Sequence, residues 1–298
     1  MIIQQFINGL SLGSIYALIA LGYTMVYGVL RFINFAHGDV FMVGAFIAFY
    51  LAPMVFGLIE NPIIAGIAVL VLSMLICAVL GVVIERIAYR PLRNRPKISM
   101  LITAIGVSLF LESGGQVLFG PDPKPFPSLF PNPFLINTPQ VVLTLIPALV
   151  IGISIFLMLL MRLIVKKTKI GIAMRAVSQN QTAASLMGIP INRVISFTFA
   201  LGSALAAAGG VLYASMYPSI TPLMGIFPGL KAFIAAVLGG IGSIPGAVLG
   251  GFIIGFLETF VTGYISPTYR DAIAFAVLIF ILLYKPTGLL GKNVHEKV

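Results

Sequence analysis

Long apolar runs broken by short polar intervals set the plan of this chain. A helix needs roughly 20 apolar residues to cross about 30 Å of hydrocarbon. Eight runs approach or exceed that length: 6–30, 40–58, 62–85, 98–119, 140–161, 194–217, 244–265 and 271–289. A ninth run, 229–241, is too short and too rich in glycine for an ordinary span. The pattern predicts an all-α, polytopic membrane protein, one domain over residues 1–298, with about eight transmembrane helices plus one short or broken helix at 229–241. Small residues four apart (Gly9 with Gly13, Ala206 with Gly210, Gly246 with Gly250, Gly251 with Gly255) let helix backbones approach closely. Spacing leaves open whether they pack within this chain or against another subunit.

Composition removes the soluble classes. Of 298 residues 59% are hydrophobic and 9% charged, with a mean hydropathy of +1.10, whereas a soluble domain averages about 25% charged residues. The net charge of +10 does not point to nucleic acid, because the basic residues occupy short breaks between apolar runs, the positive-inside pattern. Cys77 is the single cysteine and lies in an apolar run, so it has no disulfide or metal partner. His37 and His295 are too few and too far apart in sequence for a metal cluster. The first residues, Met1 to Phe6, carry no basic segment, and the run that follows reads as a retained helix.

Charge then sets an expected orientation. If the first helix runs inward, fifteen of the 18 Lys and Arg residues share the inner side: Arg31, five from Arg86 to Lys97, six from Arg162 to Arg193, and Lys285, Lys292 and Lys297. Lys124, Lys231 and Arg270 are left outside. The amino terminus is then periplasmic and the carboxyl terminus cytoplasmic, which requires 229–241 to cross inward. Broken helices are admitted at membrane depth only where protein or a water-filled cavity satisfies their backbone. Between Gly120 and Pro139 seven prolines, interleaved with Phe126, Phe130 and Phe134, predict a stiff extended segment. It is either a rigid connector or a docking rim for an extracytoplasmic partner.

The longest polar break runs from Arg162 to Arg193, with six basic residues and no acid. Ser178 and Gln181 match a capping box and predict a short helix over Gln179–Met187 that ends at Gly188, ahead of Pro190. Ala183, Leu186 and Met187 fall on one small apolar face. Such a helix in a basic cytoplasmic loop is either offered to a soluble partner or belongs to a loop that only sets topology.

An ionisable side chain at the bilayer centre costs about 2.5–3.5 kcal/mol on insertion scales. Asn34, His37 and Asp39 lie in a tight junction between two runs. If Asn34 or Asp39 caps the second helix, its positive end faces a translocation path; the alternative is an interfacial turn in which Arg31 pairs with Asp39. Glu112 sits deep in the fourth run with no neutralising neighbour in sequence, which points to a pathway or a subunit contact. Glu258 is a weaker case of the same kind, and Glu85 with Arg86 reads as a helix anchor at the inner edge. The glycines from Gly239 to Gly246 lack the lysine and Ser/Thr of a phosphate-binding loop. No nucleophile–base pair is evident either, so the reading assigns no cofactor and takes any energy source from outside the chain. A self-sufficient secondary transporter or channel, with His37, Asp39 and Glu112 in ion or proton coupling, is the alternative.

Three stretches carry a family resemblance. They are Gly9 to Gly22 followed by Ile33 to Asp39; Gly171 to Ala176 through Asn180, Ala183, Ala184 and Gly188; and Ala235 to Ser243 with Pro245 and Gly246. Over nearly its whole length the chain resembles the permease subunits of bacterial branched-chain amino-acid ABC transporters. The resemblance implies an inner-membrane importer: this chain, a second permease subunit, two cytoplasmic ATPase subunits and a periplasmic binding protein that delivers leucine, isoleucine or valine. Related systems carry other amino acids, amides or urea. It also implies that the coupling element facing an ATPase includes Gly171, Arg175, Ala176, Asn180, Ala183, Ala184, Leu186, Met187 and Gly188.

Overall fold

A computed structural model describes residues 2–93 and 95–291. Lys292, His295 and Lys297, counted above, lie outside the described residues. The helices are α1 Ile2–Leu30, α2 His37–Phe56, α3 Pro62–Ile84, α4 Lys97–Phe119, α5 Leu145–Lys167, α6 Lys169–Gln179, α7 Gln181–Leu186, α8 Ile191–Met216, α9 Ile226–Gly239, α10 Ile244–Tyr264 and α11 Arg270–Tyr284. Among the described residues eight helical stretches are long and apolar enough to cross a membrane, and α9, with 14 residues, is the short one the sequence singled out. Among the described residues there are also four short strands: β1 Lys124–Pro125, β2 Phe134–Asn137, β3 Val142–Thr144 and β4 Ser219–Ile220. They pair antiparallel as β1 with β4 and β2 with β3.

α1 is the central element, buried from Ser11 to Val26 and enclosed by α5, α8, α9 and α10. The small-residue spacings make this possible, and their partners lie in this chain. A Cβ placed on Gly255 of α10 would stand 2.3 Å from the Gly13 Cα of α1, and one on Gly210 of α8 would stand 2.1 Å from the Phe41 carbonyl of α2. In lipid, where no hydrophobic force drives helices together, such backbone contact supplies the association. α3, α4 and α11 instead carry exposed apolar side chains such as Val79, Val117 and Leu283, surfaces suited to lipid or to another subunit.

The bundle has two chemically distinct ends. At one, Gln4 at the start of α1 accepts from the Val142 amide, Lys124 donates to Tyr50 at the end of α2, and β1 meets β4. At the other, Arg31 donates to the Ser178 carbonyl and Arg93 to Asn192. The segment after α11 also closes on the arginine end, with the Leu289 and Leu290 amides donating to the carbonyls of Leu238 and Gly239.

Three local expectations need correction. The span expected at 140–161 starts late, because Val142–Thr144 pairs with β2, and α5 then runs on to Lys167. The polar break is mostly helical, since the Thr168 side chain accepts from the Gly171 amide and starts α6. The second short helix is capped by Asn180, whose backbone is extended and whose side chain accepts from the Ala183 amide. Ser178 is still inside α6, where its hydroxyl turns back to the Arg175 carbonyl, so the Ser178/Gln181 box does not form. Gly188 does adopt the left-handed conformation, with φ 77°.

Lys231 also departs from its expected place on the outer surface. It is 2% exposed, and its Nζ contacts Glu258 at 2.7 Å and Asp271 at 2.6 Å. The Tyr16 hydroxyl donates to the other oxygen of Glu258, and Arg270 lies 3.5 Å from Asp271. One buried cation therefore ties α9 to α1, α10 and α11, and Glu258 has its neutralising partner here. Glu85 is likewise no interfacial anchor: it is fully buried, paired with Arg93, and accepts from Ser196. Breaking a buried pair by removing one partner costs about 3–5 kcal/mol. Lys231→Met should therefore lower the detergent-solubilised thermal midpoint markedly, and adding Glu258→Gln should recover part of the loss; a Lys231→Met protein as stable as the parent would show that the cluster does not hold α9.

Candidate functional site

The chain leaves α1 at Arg31, which takes the left-handed conformation (φ 54°), and turns back into the bundle instead of running across its end. α2 therefore begins at depth. His37 packs on Gly22, eight residues before the end of α1, which is about 12 Å along the helix at 1.5 Å per residue. α9 makes the mirror move from the other end: the chain leaves α8 at Met216, descends through β4, and starts a helix only at Ile226. The two helix starts meet. A Cβ on Gly38 would lie 2.7 Å from the Gly225 carbonyl, and one on Gly229 would lie 2.9 Å from the Gly38 Cα. Among the described residues neither N-terminus has a side-chain cap.

Beside this meeting point lies a cavity of about 110 Å³. Asp39, in the first turn of α2, lines it together with Ser108 and Glu112 of α4, Tyr23 of α1, Phe35, and the first residues of α9. Ser108 donates to Asp39 Oδ2. Among the described residues no Lys or Arg pairs with Asp39 or Glu112. The Arg31–Asp39 turn weighed from sequence does not form.

Of the four path residues picked from sequence, the fold brings Asp39 and Glu112 to one cavity and sets Asn34 and His37 behind it. Asn34 accepts from the Tyr89 hydroxyl at 2.6 Å, where a widened helical turn, Glu85–Tyr89, aims that ring inward. His37 is buried against Gly22 and the Tyr23 ring, 4.5 Å between centroids, and its Nε2 has no partner among the described residues. Tyr23, Ser108, Gly225 and Gly229 were missed. Ser108 with Glu112, and Gly225 with Gly229, are each one helical turn apart, a spacing legible once α4 and α9 are recognised as facing α2.

At the arginine end a wider basin of about 980 Å³ lies between α3, α7 and α8. Arg86, Arg90, Arg93 and Arg193 line it, with Gln181 and Ser185 of α7. Only Arg93 has a carboxylate partner among the described residues, Glu85. On α7 and its cap, Leu186 and Met187 are 83% and 82% exposed, and Ala183 is exposed beside them, whereas Ala184 is buried. Gly171, Met174 and Val177 form the buried face of α6, and Arg175 points away from it. Gln181 donates to the Val29 carbonyl, linking α7 to the end of α1.

Comparison with known proteins matches this sequence to transport permeases. The high-affinity branched-chain amino acid transport system permease protein LivH of Escherichia coli (strain K12) is 42% identical over 301 residues, spanning 99% of this chain and 97% of that protein. The corresponding BraD permease protein of Pseudomonas aeruginosa is also 42% identical, over 99% of this chain and 98% of its own. A probable branched-chain amino acid transport permease protein of Methanocaldococcus jannaschii is 29% identical over 93% of this chain. Residues 5–282, from the first turns of α1 into the last turn of α11, match the family described as branched-chain amino acid transport system / permease component, and the chain belongs to that family.

Proposed function

We propose that this chain is the membrane-spanning permease subunit of an ABC importer that moves leucine, isoleucine and valine across a bacterial inner membrane. It works with a second permease subunit, two cytoplasmic ATPase subunits and a periplasmic binding protein. Its own role is transport, and ATP hydrolysis belongs to the partners. The observation that carries the reading is the arginine end: a short capped helix presents two almost fully exposed apolar side chains, Leu186 and Met187, beside a basin with three arginines that have no ion-pair partner among the described residues. Exposed apolar side chains rimmed by polar groups mark interaction sites. An ATPase surface with an apolar pocket and acidic rim fits both features.

In this reading the coupling element is 162–193 with its helices α6 and α7. Ala183, Leu186 and Met187 enter the partner, and Asn180 and Gly188 cap the helix at either end. Ala184, Gly171 and Ala176 seat it on the rest of this chain, and Arg175 projects from the exposed side of α6. The basic end is cytoplasmic and the proline-rich end periplasmic, in keeping with the basic residues gathered there. The translocation path runs past Asp39 and Glu112, with Asn34 and His37 shaping the turn that carries Asp39.

Two experiments test these assignments. Cysteine placed at Asn132, near the proline-rich end, should react with a membrane-impermeant maleimide from the periplasm, and cysteine at Thr182 only from the cytoplasm; Cys77 is buried and gives little background. Reaction of both from one side would overturn the orientation. The coupling face is tested by Leu186→Ser with Met187→Ser. Loss of two buried apolar contacts, at about 1.5–3 kcal/mol each for full burial, should reduce co-purifying ATPase by more than about tenfold and abolish uptake. Arg175→Ala should be milder. Ala184→Glu is a poor probe, because it would place a charge inside this chain. A double Leu186/Met187 variant that imports at the parental rate with its ATPases attached would refute the docking role.

A further inference from the structure

We infer that the groove between α5 and α10 holds an anionic phospholipid of the leaflet at the arginine end, its phosphate on Arg162 and Lys166 and an acyl chain between the two helices. This goes beyond the importer reading and does not depend on it. Both helices pack on α1 and leave a groove of about 440 Å³ between them, within the range of about 300–1,000 Å³ that small-molecule sites span. On α5 its wall is Ile155, Met158, Leu159, Arg162 and Lys166, spaced so that they share one face. That face is apolar for its first half and cationic for its second. On α10 the wall is Ile244, Val248, Leu249 and Phe252, apolar throughout. A groove that is apolar at depth and basic toward the end of the bundle matches a phospholipid read from its chain to its headgroup.

Length separates this occupant from a neighbouring helix. The groove follows α5 from Ile155 to Lys166 and α10 from Ile244 to Phe252, about 16 Å and about 12 Å at 1.5 Å per residue. Half of a hydrocarbon core of about 30 Å is about 15 Å, so the groove has the reach of one leaflet. A partner helix crossing the membrane beside α5 and α10 would have to be met along the whole span. Charge agrees with length. Among the described residues no acid lines the groove, and neither Arg162 nor Lys166 has an ion-pair partner. Both are exposed and stand one turn apart, where a single phosphate can reach the two. Basic pockets between membrane helices are where anionic headgroups bind. Lys167 is exposed as well but does not line the groove. Lys166 also stands two residues before Thr168, the cap of α6, so the lipid sits at the root of the α6–α7 arm.

The test places the chain, with the subunits that co-purify with it, in phosphatidylcholine nanodiscs containing a trace of lipid with a diazirine on its acyl chain. Phosphatidylglycerol and phosphatidylcholine probes with the same chains are compared, and mass spectrometry reads the labelled residues. Groove residues on α5 and α10 should favour the phosphatidylglycerol probe by about tenfold, the effect of two cations near the headgroup. Leu75 of α3 and Ile279 of α11, exposed apolar residues, should show no preference. The same preference at all these places, or a groove that no lipid labels because the second permease covers it, would overturn the inference. Arg162→Gln with Lys166→Gln should abolish the preference in the groove, whereas Lys167→Gln should leave it intact. An equal loss in Lys167→Gln would show that diffuse charge, not a site, draws the lipid. Leu249→Trp fills the groove with both cations in place and should reduce labelling of Met158 by either probe severalfold, in protein whose thermal midpoint matches the parent. Undiminished labelling there would also overturn the inference.

Discussion

A helix that starts inside a membrane exposes backbone N–H groups with no water to receive them, and each unsatisfied group there costs several kcal/mol. This chain starts two helices within the bundle, at His37 and at Ile226; among the described residues neither start has a side-chain cap, and preceding carbonyls take the first amides instead, Asn34 from His37 and Leu223 from Ile226. The two starts are held against each other and enclosed by α1 and α4. Gly38, Gly225 and Gly229 are placed where any Cβ would drive the two backbones apart. Enclosure in turn requires α1 to lie at the centre of the bundle, which the glycines facing it on α10 permit. The tight core, the small-residue seams and the buried path of α1 are thus consequences of two interrupted helices.

Charge placement follows the same constraint. A short helix has few lipid-depth contacts to fix its height and rotation, and Lys231 gives α9 a fixed point against Glu258, Tyr16 and Asp271. Desolvating those groups is unfavourable, but once they are buried each depends on the others, so the cluster specifies position more than it adds stability. The contrast with Asp39 and Glu112 is informative because both sites are carboxylates at depth. One is closed by a protein cation, whereas the other opens on a cavity.

The arginine end connects to that cavity by contact. α7 is bonded to the end of α1 through Gln181 and Val29, and it packs on α6 and α8. α8 touches α2 backbone to backbone, where Gly44 meets Ala207 and Gly210 meets Phe41. These contacts form a continuous close-packed route from α7 to the helix that carries Asp39.

The class of protein, its eight long helices, the weakness of 229–241 as an ordinary span and the basic end were all legible in the chain, because apolar length and the placement of Lys and Arg are properties of sequence that the bilayer reads directly. The left-handed stop at Gly188 was legible for a similar reason, being a local conformational matter. The cap at Asn180 was misread as Ser178 because the polar composition gave no sign of a helix before Gln179, whereas α6 runs through Ser178 to Gln179, with its buried face of Gly171, Met174 and Val177 packed on helices distant in sequence. Lys231 looked like an outer-loop charge because its partners are 27 and 40 residues away. Glu112 and Asp39 were recognisable as costly, but only the fold put them in one cavity and moved Asn34 and His37 behind it. Spacing along one helix tells which side chains share a face. Which face meets which, and whether a buried charge finds its partner, is decided by packing between helices that the chain order does not reveal.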